Sequence, residues 1–586
     1  MPSQTRGQSL HAHKLTPLRA ENRFVKLRHQ CGRRARPNVR RNEAARAAAA
    51  AERPLNCSVI AGTSDAPSVA PNPKVTLSAR PTQFCCMRAA ARLLCVVLMT
   101  LTLILHAQAN AGAPSQTKLT PGATASLDAV DVFVKAQMLK QNMPGLAVAI
   151  VRNDQLLFMS GYGAAADGKP VTPTTQFRLA SLSKSFTAVA VLQLVEAGLV
   201  LLDAPVSQYV HELAARGPIA GVTVRQLLNQ TSGLADMGYA AGLGRQEKTL
   251  AERASNLRSA RAVDAPGAAF HYFDPNYQLL ARLVETVSEQ PFDVYLQERI
   301  FTPLGMRSSV SAVTSDSGHQ RDSHLGLGHL RVYGMSVECP ELSGFLAGSG
   351  GVVSTAEDMA QFLIAQTRNG RNAGPVLVNA ESIALMHSPP PGIASRYGMG
   401  WALSNSEGVK VLEHDGVLST FYAEMVLLPE TGYGFGILVN EYALADSVLA
   451  FPVLKNGLIA LLSGRSAKTE GMSLPALGVV LATASTILTG LAIWSLTGLR
   501  GWAARAARVP IWHALPDVLW ALTPAIALFS LPRILALTTG RYFSWEMLAR
   551  AMPELFILLT LCGAIGTLSG LARIAILLRK SGARMA

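Results

Sequence analysis

A serine and a lysine three residues apart are the sharpest chemical signal in the sequence. Ser181 and Lys184 begin an apolar segment that predicts a helix over residues 181–196, ended by Gly198. Positions i and i+3 share one face of a helix, so the lysine amine would lie beside the serine oxygen. A partly desolvated lysine with a lowered pKa accepts a proton, and the helix N-terminus favours developing negative charge. The pair predicts a serine nucleophile, although alone it also fits an exposed serine and lysine at any helix start.

Further motifs follow in order, and together they are more specific than the serine–lysine pair. They lie at 177–188, 227–234 (LLNQTSGL), 266–277 (with Pro266-Gly267, 270–274 and Tyr277), 303–306, 350–359, 397–401 and 414–416. Across residues 120–440 their type, order and spacing resemble the serine β-lactamase and penicillin-binding-protein superfamily, in particular its class C and esterase-like branch. The resemblance implies an α+β fold of the β-lactamase/transpeptidase type, in which helices flank an antiparallel sheet beside a helical subdomain.

The resemblance also implies roles for four side chains. Ser181 would be the acylated nucleophile, and Lys184 would be its activating partner. Tyr272 would share proton transfer to the leaving group and, later, from the deacylating water. His414 would orient the substrate or shuttle charge beside the site.

Backbone donors and substrate contacts are implied in the same way, with two departures from the family pattern. The N–H groups of Ser181 and Val417 would form the oxyanion hole, and Asp274 and Gly416 would contact the substrate. Asp274 stands where the family usually has asparagine, and a carboxylate cannot donate an amide N–H. His414 replaces a lysine, and a mostly neutral imidazole attracts a β-lactam carboxylate less strongly. Both changes argue against an efficient β-lactamase and leave acyl-serine chemistry in place.

The elements that would position these residues are strands at both ends of a globular region, with helices between them. Apolar runs at 145–151 and 155–161, and again at 421–428 and 435–440, are each joined by turn residues and predict two β-hairpins. A helix precedes the first hairpin, and its apolar face is formed by Leu127, Val130, Val134 and Met138. We therefore expect one sheet built from both ends of region 112–465, with a helical region inserted.

Composition and charge exclude several classes of function. The chain has 586 residues, of which 49% are hydrophobic and only 16% charged, so we expect part of it to lie in a membrane. The net charge is +15, but residues 112–465 carry 25 basic and 30 acidic residues, which is no electrostatic footprint for nucleic acid. The histidines lack metal-ligand spacing, so we expect neither a metal nor a cofactor.

The first 111 residues predict export. Residues 87–111 combine a basic start, an apolar core and a small-residue cleavage signal, as in a secretory signal peptide. Residues 1–86 are basic without apolar periodicity and predict a disordered leader. We favour a mis-called start at Met1 over a basic cytoplasmic tail on a signal anchor, and both interpretations export the region that follows.

Region 466–586 is an apolar tail with about three expected transmembrane helices, at 474–496, 518–537 and 555–578. Basic residues follow the first and third, and positively charged loops stay cytoplasmic, so these two would run from outside to inside. That orientation agrees with the export of region 112–465.

The combined prediction is a multi-pass protein of the bacterial inner membrane whose serine hydrolase domain lies in the periplasm. Its substrate would be a peptide or small molecule, namely a D-amino-acid peptide, an ester, an amide or a β-lactam. The alternative is a non-turnover penicillin-binding or sensor-like membrane protein in which Ser181 acylates and deacylation fails; the retained Tyr272 favours the enzyme. A transporter is disfavoured because the apolar tail shows no internal repeat and no paired intramembrane charges.

Overall fold

The structure is a computed structural model, and it describes residues 126–165, 168–213, 219–315, 325, 327–367, 376–469 and 471–585. The predicted leader 1–86 and signal peptide 87–111 lie outside these ranges. The described ranges include both expected hairpins, the helices between them and the apolar tail.

Strands lie towards both ends of the region before residue 470, and helices fill the chain between them. The strands are β1 Gly145–Arg152, β2 Gln155–Gly163, β3 Phe177–Arg178, β4 Val310–Ser311, β5 Gly328–Val332, β6 Met335–Cys339, β7 Val352–Ser354, β8 Ala402–Ser406, β9 Val409–Val417, β10 Tyr422–Leu428, β11 Tyr433–Val439 and β12 Glu441–Tyr442. The helices of this region are α1 Leu127–Gln141, α2 Ser183–Glu196, α3 Val224–Leu228, α4 Asp236–Leu243, α5 Leu250–Leu257, α6 Asp274–Ser288, α7 Phe292–Leu296, α8 Thr302–Leu304, α9 Ala356–Thr367, α10 Ala380–Met386, α11 Leu444–Leu449 and α12 Phe451–Leu462. Short 3₁₀ turns lie at Ala180–Leu182, Val206–Gln208 and His211–Leu213, and a π turn lies at Gln297–Phe301. The tail contains α13 Leu474–Thr497, α14 Leu499–Ala506, α15 Ile511–Thr539, α16 Trp545–Ala551 and α17 Pro553–Met585.

A six-stranded antiparallel sheet, in the order β2-β1-β11-β10-β9-β8, forms the centre of the fold. Strand β1 pairs with β2 across a tight turn and also with β11, where Ile150 lies opposite Phe435. Strands from the two ends of the globular region therefore pair directly within one sheet, and both predicted hairpins are confirmed. Helices pack against this antiparallel sheet, which confirms the expected α+β fold.

Both faces of the central strands are covered, and β1 shows how. Successive side chains of a strand point to opposite faces. One face meets the helical region through Ala147, Ala149 and Val151. The other face meets α1 and α12 through Leu146, Val148 and Ile150. Burial on both sides explains why β1 is an unbroken apolar run, and the predicted apolar face of α1 lies in this second layer.

Helix α2 lies inside the helical region and is buried along nearly its whole length, against α6 among other elements. A helix that is apolar on almost every side belongs in an interior. It begins two residues later than the sequence predicts, because residues 180–182 form a 3₁₀ turn. Ala180 has a φ of 49°, and the Ser183 hydroxyl donates to the Ala180 carbonyl at 2.6 Å. These two features close a tight turn in front of the helix, so the predicted start at Ser181 is wrong.

The tail contains long apolar helices. By length and composition, Leu474–Thr497, Ile511–Thr539 and Pro553–Gly582 could each cross a membrane, and Leu444–Leu462 meets the same criteria. The segment Leu444–Leu462 lies before the tail and packs against the sheet, where Leu454 and Leu458 are fully buried.

The tail helices run alternately away from and towards the globular region that contains the sheet. Helix α13 begins beside it, where the Leu474 N–H donates to Gln141 at 3.0 Å. The chain has returned to it at the start of α17, where the Tyr333 N–H donates to Glu554 at 2.7 Å. At the opposite end of the bundle, the Lys580 ammonium donates to the carbonyl of Ala506, the last residue of α14, at 2.6 Å and to that of Val509, in the connection to α15, at 2.7 Å. The α13–α15 connection and the end of α17 therefore lie together, on the side away from the sheet.

Candidate active site

Ser181 lies in the tight turn before α2, and strand β9 supports that turn. Gly416 of β9 comes so close that a Cβ there would lie 2.2 Å from the carbonyl oxygen of Leu179, so only glycine fits. Ala180, directly before the serine, has a positive φ, a strained backbone conformation that costs about 1–3 kcal/mol and is concentrated at functional sites. The turn presents the partly exposed Ser181 beside an interior helix.

Lys184 is the most buried charged group at this site, with none of its side chain exposed. Its Nζ lies 2.9 Å from Ser181 Oγ, 2.8 Å from the carbonyl oxygen of Ser349 and 2.6 Å from Asp274 Oδ1. An ammonium has three N–H donors, and these three acceptors match them. The arrangement therefore suits a protonated lysine, which must lose one proton before it can accept that of Ser181.

Asp274, the first residue of α6, joins Lys184 to a second cation. Burial alone would raise the pKa of the Asp274 carboxyl, but Lys184 and Arg541 hold it below its ordinary range. Burial lowers the pKa of Lys184, and Asp274 opposes that shift. Asp274 was expected to contact the substrate, and in the structure both of its oxygens bind cations of the protein.

Tyr272 lies over Lys184, whose Nζ is 4.9 Å from the centre of the ring. Burial raises the pKa of Tyr272 well above its ordinary value, the charge of Asp274 raises it further, and a hydrogen bond with Ser181 lowers it. Tyr272 is therefore a neutral phenol near pH 7. It can pass a proton on but is not an anionic base.

His414 of β9 completes an aromatic group around Tyr272. Its Nδ1 lies 2.7 Å from the Asp415 carbonyl oxygen and its Nε2 lies 3.0 Å from the Tyr397 hydroxyl. Burial lowers the pKa of His414 to about 4, so the imidazole is neutral. Nδ1 must then carry the hydrogen, and Nε2 accepts from Tyr397. The Tyr397 ring meets Tyr272 edge-on, with centroids 5.9 Å apart, which connects His414 to the phenol.

The remaining predicted residues lie at the end of β9. Gly416 packs against Leu179 and Ala180, and Val417 is the last residue of the strand, opposite Tyr422. The structure thus brings the backbone around Val417 next to the turn that carries Ser181. The role of these two N–H groups as an oxyanion hole stays a prediction.

Arg541 is a site residue that the sequence analysis missed. It lies two residues after α15, and its Nη2 donates to Asp274 Oδ2 at 2.8 Å while its Nη1 donates to the Tyr272 carbonyl at 2.7 Å. A signal was present in the sequence. The predicted topology places the connection that carries Arg541 and Arg550 on the outer side, whereas basic residues usually collect in cytoplasmic loops. Ser349 was also missed, since a carbonyl acceptor leaves no signature in the sequence.

Comparison with known proteins identifies the family. The family model described as Beta-lactamase matches residues 130–453, more than half of the chain. The chain belongs to the β-lactamase family. This confirms the resemblance found in the motifs, and the match contains Ser181, Lys184, Tyr272, Asp274 and His414.

Several relatives of this β-lactamase family member are known. It is 26% identical over 317 residues to protein flp of Staphylococcus aureus strain MW2, which covers 53% of this chain and 62% of that protein. It is 29% identical over 316 residues to penicillin-binding protein 4 of Amycolatopsis lactamdurans, covering 51% of this chain and 82% of that protein. The chain thus spans less than two thirds of the length of protein flp.

A solved structure supports the same fold. The octameric penicillin-binding protein homologue from Pyrococcus abyssi is 27% identical, with a TM-score of 0.51, over 59% of this chain and 79% of that chain. These relatives place the chain in a family of serine-hydrolase-like and penicillin-binding proteins.

Proposed function

We propose that the chain is a serine hydrolase that cleaves a peptide, ester or amide through an acyl ester on Ser181. The observation that carries this proposal is the position of Lys184, fully buried with its Nζ 2.9 Å from Ser181 Oγ, in a domain of the β-lactamase family. A buried amine beside a hydroxyl is the arrangement that activates a serine.

The acylation step follows from the contacts. A neutral Lys184 takes the Ser181 proton as Oγ bonds to the substrate carbonyl carbon, and the N–H groups of Ser181 and Val417 bind the oxyanion. Tyr272 gives its phenolic proton to the leaving group as the scissile bond breaks, and recovers a proton from Lys184. Water then attacks the acyl carbon and passes a proton back through Tyr272 and Lys184, and the acid leaves as Ser181 is reprotonated.

The substrate class follows from charge. The neutral His414 supplies no cation for a substrate carboxylate, and both oxygens of Asp274 already bind cations. Efficient β-lactam turnover is therefore not expected. The name of the Amycolatopsis relative, penicillin-binding protein 4, supports testing D-amino-acid peptides and penicillin beside simple esters and amides.

Covalent labelling tests the nucleophile. The full chain in detergent, treated with a fluorophosphonate, should gain the mass of one adduct, and Ser181→Ala should abolish it. Ser406→Ala, a serine of β8 outside the site, should keep the adduct. An adduct that persists in Ser181→Ala would refute the assignment, and p-nitrophenyl acetate turnover that survives both Lys184→Ala and Tyr272→Phe would remove their roles.

We also propose a membrane arrangement: a hydrolase domain over 112–465 in the periplasm, preceded by the signal at 87–111 and followed by the multi-pass tail 466–586. Support comes from the tail, where basic residues collect at the end of the bundle away from the sheet while the α15–α17 connection meets the catalytic region. Alkaline phosphatase fused after Thr469 should be active outside the cytoplasm, and a fusion after Arg508 should be inactive. Activity of the Arg508 fusion would refute this topology.

A second candidate function is a penicillin-binding or sensor-like protein that acylates and does not turn over. The name of the Amycolatopsis relative, penicillin-binding protein 4, favours this candidate. Intact-mass spectrometry after a penicillin pulse distinguishes the two. An acyl adduct that decays within minutes supports the hydrolase, and one that persists for hours supports this candidate.

A further inference from the structure

We propose that Arg541, supplied by the connection between apolar helices α15 and α17, is a positioning residue of the active site that binds Asp274 and so frees Lys184 to act on Ser181. This inference rests on the proposed function and extends it: the tail would be part of the enzyme rather than an anchor alone.

The connection is docked on the catalytic region at more than one point. Arg550 donates to the Pro340 carbonyl and lies 3.3 Å from Ser419 Oγ. Glu554 accepts from the Tyr333 N–H at 2.7 Å. These contacts lie in the last turn of α16 and at the start of α17, so the position of Arg541 does not depend on its own ion pairs alone.

Asp236 of α4 gives independent support for a built contact. Its side chain is only 4% exposed, and two groups of the connection bind its Oδ2: the Tyr542 N–H at 2.9 Å and Arg541 Nε at 3.3 Å. A buried carboxylate is costly unless it is paired. The catalytic region thus carries a buried acid matched by this connection.

A chain of contacts runs from the connection to the nucleophile. Arg541 Nη2 is 2.8 Å from Asp274 Oδ2, Asp274 Oδ1 is 2.6 Å from Lys184 Nζ, and Lys184 Nζ is 2.9 Å from Ser181 Oγ. Without Arg541, the full negative charge of Asp274 would act on Lys184 and stabilise its ammonium form. With Arg541 present, the carboxylate is shared between two cations, and the neutral amine that takes the serine proton becomes more accessible.

Other titratable groups act on Lys184 as well, and the test must hold them constant. The groups around it in the described residues are Tyr272, Tyr277, Asp274, His414, Asp415 and Arg541. Burial is the largest cause that lowers the pKa of Lys184, Asp274 and Asp415 raise it, and Arg541 lowers it. Removal of Arg541 therefore has a defined sign: the pKa of Lys184 rises.

The test is the pH dependence of fluorophosphonate acylation by the full chain in detergent. The rate should rise with pH as Lys184 becomes neutral, and Arg541→Gln should move the midpoint upward by about one pH unit, a loss of roughly tenfold below the midpoint. Adding Asp274→Asn removes the charge that Arg541 offsets, so in that background Arg541→Gln should cause a clearly smaller shift, from the direct repulsion between Arg541 and Lys184 alone. Loss of docking alone predicts neither the shift nor its reduction.

Arg550→Gln is the matched control, since it weakens the same connection without touching Asp274 or Lys184. Its midpoint should stay at the wild-type value. Equal midpoints for wild type and Arg541→Gln, or equal shifts in Arg541→Gln and Arg550→Gln, would overturn this inference while leaving Ser181 as the nucleophile. Failure of the proposed function is distinguishable, because it appears as labelling that survives Ser181→Ala.

Discussion

Gly416 fixes the distance between strand β9 and the turn that carries Ser181, so Gly416→Ala is a direct test of the site. The new Cβ would lie 2.2 Å from the Leu179 carbonyl oxygen, 3.1 Å from the Ala180 Cβ and 3.1 Å from a Leu182 methyl. An ordinary carbon–oxygen contact is longer by about 1 Å, and the closest atom belongs to backbone that cannot rotate away. The strand must retreat from the turn, together with the N–H of Val417 that would bind the oxyanion.

A displacement of about 1 Å at reacting groups costs roughly 10²-fold in rate, and loss of one oxyanion donor costs about 10²–10³-fold. We therefore expect acylation by a fluorophosphonate, and turnover of p-nitrophenyl acetate, to fall at least about 10²-fold in Gly416→Ala. Circular dichroism and thermal unfolding should show that the fold persists.

Gly436→Ala on strand β11, which is separated from β9 by β10 in the same sheet, is the matched control. Its Cβ would come no closer than 3.7 Å to any atom, an ordinary van der Waals contact, so the rate should stay near that of the wild type. Acylation at the wild-type rate in Gly416→Ala would refute the argument that β9 positions the Ser181 turn. An equal loss of rate in both variants would show that a general disturbance of the sheet, rather than of the site, lowers the rate.

Two further predictions concern the surroundings of the site. Tyr397→Phe leaves the buried Nε2 of His414 without its hydrogen-bond donor, which costs about 1–3 kcal/mol; we expect acylation roughly tenfold slower and a lower unfolding temperature, and an unchanged rate would separate His414 from catalysis. Burial raises the pKa of the Glu424 carboxyl from 4.5 to about 8, and the Lys455 ammonium opposes this rise. The protonated carboxyl therefore contributes stability that is complete below the unfolded pKa and is lost as the pH rises through 8. Wild type should lose about 3 kcal/mol of unfolding free energy between pH 6 and 9, Glu424→Gln should lose much less, and equal losses in denaturant titrations would contradict the assignment.

The strands of the sheet and the contact between Ser181 and Lys184 could be predicted because their signals are local. The apolar runs of β1 and β11 stand at the two ends of the region and indicate strands whatever lies between them, and an i, i+3 pair such as Ser181 and Lys184 meets on any helical turn. The start of α2 could not be predicted, because the positive φ of Ala180 depends on the approach of β9.

The charges around Asp274 were hidden for a different reason. The bond between Arg541 and Asp274 joins residues 267 positions apart, and no periodicity records a contact of that separation. The one signal in the sequence, a basic residue in a connection predicted on the outer side, did not indicate which acid it would bind. The partner of Asp236 lies in the same connection and was hidden in the same way.

The short distance along the chain from Thr539 to Arg541 has a geometric consequence. Two residues span at most about 7 Å, so the end of α15 lies close to Arg541. Arg541 in turn is connected to Ser181 through Asp274 and Lys184. Helix α15 has 29 residues and is about 44 Å long, whereas the hydrocarbon layer is about 30 Å thick. In the proposed membrane-bound arrangement, catalysis would therefore take place just above the lipid headgroups, where compounds held at the bilayer surface are concentrated.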